Sequence, residues 1–180
     1  MRVWLLAIVL ALAACGSPLP RSAAPATTTA TGAAPSVDQL RAADFSAYPA
    51  AAFTGMRRTP DFNGAQREFR TYRTALSDGA ARGPNFAGRF ALVQIGCGAG
   101  CNETYQVDLS TGGVAEIHFA GETAVEIESR PDSALLKARW FVSPADPNGQ
   151  WRCHFENYLW RDGRLVSLGQ AVIDGACPDG

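Results

Sequence analysis

Residues Asn85 to Asp108 read N-F-A-G-R-F-A-L-V-Q-I-G-C-G-A-G-C-N-E-T-Y-Q-V-D. Two strand-like runs, Phe90 to Ile95 and Thr104 to Leu109, flank a glycine-rich pentapeptide with Cys97 and Cys101 at its ends. In an extended strand, residues four apart lie roughly 13 Å from each other, whereas a disulfide needs Cα atoms within about 7 Å. A bond between the cysteines therefore requires a sharp turn, and the intervening glycines permit one. The pattern predicts a β-hairpin whose tip is closed by its own disulfide.

Two other uses of the Cys97/Cys101 pair stay open. A redox dithiol usually has two residues between its cysteines and opens a helix, whereas here the spacer has three residues and a strand-like run follows. A zinc site needs further ligands at suitable spacing, and the two histidines, His118 and His154, belong to no recognisable ligand motif. The sequence favours a structural disulfide and predicts neither a metal nor a cofactor.

The first residues have the pattern of an export signal. Arg2 supplies a short positive region, and Val3 to Leu12 is an apolar run too short to span a bilayer as a permanent helix. The run Leu12-Ala13-Ala14-Cys15 resembles the lipobox of bacterial lipoproteins, which implies removal of residues 1–14 and acylation of Cys15. A plain signal peptide cleaved near the same point is the alternative. Two or three acyl chains on one residue would anchor the protein stably in a membrane.

The residues after the lipobox predict a tether followed by one domain. An aspartate directly after the lipobox cysteine would resemble an inner-membrane retention signal. The residue at that position is Gly16. The absence of the signal favours anchoring to the periplasmic side of the outer membrane in a Gram-negative source. Residues 15–36 are rich in Ala, Pro, Thr and Ser and carry one charge, Arg21. Such a composition cannot bury enough apolar surface to order itself. Residues 37–180 are the expected length of a single globular domain.

Lipidation also accounts for the odd number of cysteines. Of five cysteines, removal of Cys15 leaves four, and an even number in an exported domain indicates two disulfides with three possible pairings. A local bridge between Cys97 and Cys101 leaves Cys153 to bond Cys177. In the loop-entropy model a five-residue loop contributes about 2 kcal/mol and a 25-residue loop about 3.5 kcal/mol. We therefore expect the second bridge to stabilise the C-terminal hairpin and the first to rigidify a loop tip.

The remaining pattern predicts a mainly β, α+β fold. A short turn begins near Val37 with Ser36 as N-cap. A strand-like piece near Arg67–Arg70 leads into one N-terminal helix that ends near Ala81. Asp162-Gly163 is a strong two-residue turn signal. Further strands are predicted at Val114–Phe119, Ala124–Glu128, Ala134–Val142, Trp151–Trp160 and Leu165–Leu168. The expected architecture is a single antiparallel β-rich domain of successive hairpins, clipped by two disulfides.

Period-two alternation selects the candidate binding residues. Glu116 and His118 share one face of a strand, and His154, Tyr158 and Trp160 share one face of the long strand. These five residues form the predicted binding surface, with a solvent-facing His118 and a sheet face packed by the helix as the alternatives.

Three arginines form a second pattern. Phe69, Tyr72 and Leu76 recur at helical spacing, with Arg67, Arg70 and Arg73 among them. The arginines are either a reader of anionic groups or a solvated helix face.

The run G-P-N-F-A-G, a strand, C-G-A-G-C, and a strand ending D-L-S-T-G-G-V resembles a set of uncharacterised exported bacterial proteins. In those proteins a G-P-N-F-A-G-H/K-Y segment precedes a C-G-x-G-C loop and a D-x-x-T-G turn. The resemblance covers Gly83 to Val114 and departs at Arg89, where the pattern often has histidine or lysine. It implies a similar β-rich exported domain and no particular activity.

Composition excludes several classes of function. Without Arg2 the chain has 15 Lys+Arg against 17 Asp+Glu, a net charge of −2. The composition disfavours nucleic-acid binding, because there is neither a basic excess nor a recognisable nucleic-acid module. The Walker, Rossmann, G-x-S-x-G and H-E-x-x-H motifs are absent.

Three functional hypotheses follow. The first is a lipid-anchored envelope protein that binds another envelope protein or a cell-wall component without catalysis; one version is a lysozyme inhibitor, by likeness of architecture alone. The second is an enzyme that exchanges disulfides through Cys97 and Cys101, or that uses Glu116 and His118 as an acid–base pair. The third is a purely structural envelope component.

Overall fold

The computed structural model describes residues 33–120, 123–144 and 149–178. The predicted signal and Cys15 lie outside the described residues. Internal contacts divide the chain into two units, Met1–Thr31 and Gly32–Gly180. The second unit contains every described helix and strand, both disulfides and all the described buried clusters. We therefore expect Gly32–Gly180 to fold on its own.

Two α-helices, two 3₁₀ segments and seven β-strands make up the described chain. The 3₁₀ segments are Phe45–Ala47 and Arg67–Tyr72, and the second leads directly into the helix that begins at Arg73. The helices and strands are α1 Val37–Arg41, α2 Arg73–Arg82, β1 Phe90–Gly98, β2 Cys101–Asp108, β3 Gly113–Ile117, β4 Val125–Ser129, β5 Leu135–Val142, β6 Arg152–Arg161 and β7 Arg164–Asp174.

The strands form two antiparallel sheets with nearest-neighbour order. One sheet has three strands, β1-β2-β3, and the other has four, β4-β5-β6-β7. This arrangement confirms the predicted mainly β fold of successive hairpins. The turn at Asp162-Gly163 has φ of 52° and 79°, the positive values that a two-residue hairpin turn of this kind requires.

The expected strand-like entry near Arg67–Arg70 is wrong. This segment belongs to the 3₁₀ helix, in which side chains three residues apart lie above one another. Phe69 and Tyr72 have that spacing, and both pack against the same buried cluster as Leu76 of α2. Burial of this pair against the three-stranded sheet favours the helical conformation.

The two sheets and two helices form four layers. In β1 Ala91 and Val93 face α2, because they share a cluster with Leu76. The alternate residues Phe90 and Leu92 share a cluster with Leu136 of the four-stranded sheet. The first part of β1, Phe90 to Val93, is consequently buried on both faces, and the main core lies on either side of it.

The far face of the four-stranded sheet packs against α1. Leu40 of α1 clusters with Cys153 and Phe155, which alternate along β6 with the residues that face the other sheet. The Ser36 hydroxyl accepts a hydrogen bond from the Gln39 backbone N–H, and the Gln39 side chain accepts one from the Ser36 N–H. This reciprocal pair confirms the predicted N-cap as a capping box. At the other end of α1, Asn157 donates to the Leu40 carbonyl at 2.9 Å.

Both predicted disulfides are confirmed. Cys97 bonds Cys101 across the β1–β2 hairpin, with Cα atoms 5.2 Å apart. Cys153 bonds Cys177 with Cα atoms 4.9 Å apart. Cys153 is completely buried, so the second bridge joins the C-terminal segment to the core, whereas the first lies at a hairpin tip. No helix among the described residues is long and apolar enough to cross a membrane.

Gly88 permits a close approach of two loops, which leads to a stability prediction. Its φ is +78°, and a Cβ atom placed there would lie 1.9 Å from the Ala51 carbonyl oxygen. We expect Gly88→Ala to reduce the free energy of unfolding by about 2–3 kcal/mol, because it adds a backbone clash to a left-handed conformation. Gly96→Ala is the control, since a Cβ there meets nothing within 4 Å. Equal shifts in urea midpoint for the two variants would contradict this explanation.

Candidate functional site

The three-stranded sheet ends in an exposed tip, the β1–β2 hairpin residues Gly96 to Cys101. Residues 96–100 are all exposed. The strands connect through Ala99-Gly100, and Gly98 pairs with Cys101 beside a register shift. Gly98 and Gly100 have φ of 134° and 69°, which glycine adopts without the steric cost of a side chain. The disulfide and these glycines together define a closed, protruding loop.

Side-chain hydrogen bonds fasten the base of the tip to the other sheet. The Asn102 amide donates to the Val125 carbonyl at 3.0 Å and accepts from the Val125 N–H at 2.9 Å. Gln94 donates to the same carbonyl at 2.7 Å, and the Ala124 N–H donates to the Gly100 carbonyl at 2.6 Å. The tip is thus fixed at its base by β4 as well as by its own disulfide.

Sequence reasoning did not identify Asn102 and Gln94. Each lies more than twenty residues from Val125, so no local spacing marks the contact. Val125 is buried at the start of the edge strand β4, where its N–H and carbonyl need partners outside the strand ladder. The one available signal was the polar character of both residues beside an otherwise apolar hairpin.

Glu116 and His118 lie at the exposed end of β3. Their Oε1 and Nδ1 atoms are 3.3 Å apart, and their side chains are 34% and 79% exposed. His118 is therefore solvent-facing, as one alternative predicted. Glu116 pairs with Tyr105 of β2, whose side chain belongs to the cluster under α2. Glu116 consequently lies on the α2 side of the three-stranded sheet.

His154 lies on the face of β6 that turns toward the three-stranded sheet. Its ring stacks on Trp140 with centroids 4.0 Å apart, and its Nε2 is 3.3 Å from Glu156 Oε2. The His154 and Glu156 side chains are only 13% and 11% exposed. Burial raises the pKa of the neighbouring Tyr158 hydroxyl, and its hydrogen bond to the Glu156 carboxylate adds to the rise.

Tyr158 and Trp160 take part in the packing between the sheets. The Trp160 ring is 4.7 Å from that of Phe90, and the Tyr158 ring is 5.8 Å from that of Phe119. The aromatic face is packed mainly by the other sheet, whereas the sequence alternative assigned that packing to the helix. The five residues of the predicted binding surface therefore fall into two groups on different sides of the three-stranded sheet. Binding by either group stays a prediction.

The cysteine pair of the tip has no helix beside it. Cys97 is exposed and Cys101 half-buried, and both lie in strands. Thiol reactivity is usually enhanced at helix N-termini or beside cations, and the hairpin supplies no helix N-terminus here. Disulfide exchange by this pair stays a prediction. Among the described residues, no group of three or more His, Cys, Asp or Glu side chains is placed to hold a metal ion.

A cavity of about 630 Å³ lies beside α1 on the outer face of the four-stranded sheet. The charged side chains of β4 and β5 that line the cavity form ion pairs with one another. Arg139 contacts Glu126 at 2.5 Å and Lys137 lies 3.7 Å from Glu128. Lys137 also donates to the Arg41 carbonyl at the end of α1, so these side chains serve to connect α1, β4 and β5.

The G-P-N-F-A-G run has a structural role in this chain. The Asn85 amide accepts from the Leu92 N–H at 2.7 Å and donates to the Leu92 carbonyl at 3.0 Å, and Phe86 is fully buried. The resemblance departs at Arg89. Its guanidinium lies 4.8 Å from the centroid of the Phe90 ring and 3.4 Å from the Asp108 carboxylate.

Comparisons of the chain with protein-family models, curated proteins and solved structures find no match. Membership of the resembling set therefore stays a prediction.

Proposed function

We propose that this protein is a lipoprotein anchored to the bacterial cell envelope through Cys15, and that its β-rich domain is a non-enzymatic binding module. The observation that carries the proposal is the closed, exposed tip Gly96–Cys101, fixed by a disulfide and by Asn102. Binding costs about 0.5–1.5 kcal/mol for each flexible side chain that becomes ordered. A preorganised loop avoids much of that cost, which suits insertion into a cleft of a partner.

The tip offers its backbone to a partner. Residues 96–100 are exposed, and the three glycines among them carry no side chain that would cover the neighbouring backbone. The Gly100 carbonyl is already engaged by the Ala124 N–H. Hydrogen bonds from uncovered backbone groups combine with shape to give affinity without large apolar contacts. The partner is another envelope protein or a cell-wall component, and one version of the proposal is inhibition of a lysozyme by insertion of the tip.

Photo-crosslinking from the tip tests the proposal. A photoreactive amino acid at Ala99 of the anchored protein should give a discrete covalent adduct in cells that express it natively. The same group at Asp162, in the exposed turn between β6 and β7, is the matched control and should give no such adduct. No adduct at Ala99, or equal adducts at both positions, would refute the tip as the contact element.

Loosening the tip should weaken binding without altering its exposed surface. Asn102→Ala removes two hydrogen bonds to Val125. The Val125 carbonyl keeps its bond from Gln94, whereas the buried Val125 N–H loses its partner, at a cost of about 1–3 kcal/mol. We expect severalfold less adduct from Ala99 and faster amide hydrogen exchange in residues 96–101. Unchanged exchange with unchanged adduct yield would show that the clamp does not preorganise the tip.

The lysozyme version has its own test. The soluble Gly32–Gly180 unit should slow lysis of cells by a c-type lysozyme, and Ala99→Trp should restore lysis because a bulky residue prevents insertion of the tip. Full lytic activity in the presence of excess Gly32–Gly180 would reject the inhibitor version. Crosslinking from Ala99 would then decide whether the tip binds a different partner.

A further inference from the structure

A row of arginines lies on the outermost helical layer. Arg67, Arg70 and Arg73 are spaced by three along the 3₁₀ segment and into the first residue of α2. In a 3₁₀ helix such side chains lie above one another, so the three arginines line one side. Phe69 and Tyr72 occupy the side that packs against the core. All three arginines are exposed, and we call them the arginine row.

The row carries positive charge that no carboxylate of the described residues neutralises. None of its members lies within 4.0 Å of an acidic group there. Among the described residues, the arginine and lysine side chains that do form such pairs are Arg89 with Asp108, Arg130 with Asp132, Lys137 with Glu128, and Arg139 with Glu126. Like charges three residues apart destabilise a helix slightly. Residues 57–89 contain seven arginines and three carboxylates in a chain of net charge −1, so the excess is local.

The row borders a concave site. Arg70 and Arg73 line a cavity of about 600 Å³ together with Asp61 and Asn63. The Arg70 guanidinium donates to Asn63 Oδ1 at 2.6 Å, which orients it at the rim. Asp61 Oδ1 is already engaged, because it accepts from the N–H groups of Asn63 and Gly64 at 3.1 and 3.0 Å. The planar fork of a guanidinium suits bidentate contacts to carboxylates.

We propose that the arginine row binds the carboxylates of peptidoglycan peptide stems. This inference rests on the envelope location in the proposed function and adds a second contact surface to the tip. The concave site at the end of the row favours the wall over a membrane surface, because a peptide carboxylate can enter the cavity that Arg70 and Arg73 line.

Co-sedimentation of Gly32–Gly180 with purified peptidoglycan sacculi tests this proposal. The variant R67Q/R70Q/R73Q removes the charge of the row. The control variant R152Q/R161Q/R164Q removes the same amount of charge from three exposed arginines of β6 and β7. These three arginines form no ion pair with a described residue. Exposed ion pairs are individually weak, so the loss of three of them should reduce binding moderately. We expect about tenfold weaker binding for the row variant and less than a twofold change for the control. Raising the salt from about 50 to 150 mM should weaken wild-type binding, because the charges are exposed.

Several outcomes would overturn the proposal. Wild-type affinity in the row variant would do so, and equal loss in the two triple variants would indicate a general charge effect. Row-dependent binding to vesicles containing phosphatidylglycerol, without binding to sacculi, would assign the row to a membrane. Thermal melting of both variants near the wild-type midpoint confirms folding. Ala99→Trp should bind sacculi normally, so a failure of the tip and a failure of the row are distinguishable.

Discussion

Replacement of Cys15 by serine is expected to move the protein from the membrane fraction to the soluble fraction of the envelope. The serine hydroxyl is not a substrate for lipoprotein maturation at the lipobox, so no acyl chains are attached. Each buried CH₂ of an acyl chain contributes about 0.8 kcal/mol to membrane binding, and two or three chains make the anchor stable. Fractionation followed by immunoblotting should show a change in the membrane-to-soluble ratio of more than tenfold.

Gly16→Asp is a matched control for the anchoring prediction. It changes the neighbouring residue and leaves Cys15 in place. In an enteric host we expect the variant to stay membrane-bound and to shift from the outer to the inner membrane on a density gradient. An unchanged membrane fraction for Cys15→Ser would reject the lipoprotein proposal, whatever Gly16→Asp does.

Removal of the Cys153–Cys177 bridge is expected to cost more stability than removal of the tip bridge. The longer loop contributes about 3.5 kcal/mol in the loop-entropy model against about 2 kcal/mol for the tip. Cys153 is also fully buried beside Leu40 and Phe155, whereas Cys97 is exposed. For a domain of this size we expect the melting temperature to fall by about 10 °C and about 5 °C respectively. Thermal melts of Gly32–Gly180 with each cysteine pair replaced by alanine provide the measurement.

The same two variants separate stability from binding. The tip pair should reduce crosslinking from Ala99 strongly while it lowers the melting temperature only modestly, because it frees the loop that makes the contact. The Cys153/Cys177 pair should leave crosslinking nearly unchanged below its melting temperature. Equal losses of melting temperature would contradict the assigned roles of the two disulfides.

Local patterns in the sequence predicted most elements of the fold. Alternation of apolar and polar residues placed the strands, Asp162-Gly163 predicted a two-residue turn, and Ser36 predicted the start of α1. Cysteine parity and loop geometry predicted both disulfides. Each of these signals depends on residues close together in the chain, or on the few pairings that the cysteines allow.

Strand lengths and segment types were less predictable. β7 was expected to end at Leu168 and extends to Asp174, because a register shift opposite Asn157 and Tyr158 lets pairing with β6 continue through Gly169. The segment Arg67–Tyr72 became a 3₁₀ helix because its aromatic residues are buried against the sheet. In both cases contacts with a neighbouring element decided between local alternatives of similar energy.

The sequence by itself determined a β-rich domain with a closed hairpin, two disulfides and one helix that ends near Ala81. Only the tertiary structure decided which faces meet. Alternation assigns Tyr158 and Trp160 to one face of β6, yet it does not say that Phe90 and Phe119 cover them. Likewise the link from Asn102 to Val125 spans 23 residues. Such contacts form because a buried polar group needs a hydrogen-bond partner and a buried aromatic ring needs packing partners. The sequence does not give the distance in the folded structure between residues that are far apart in the chain.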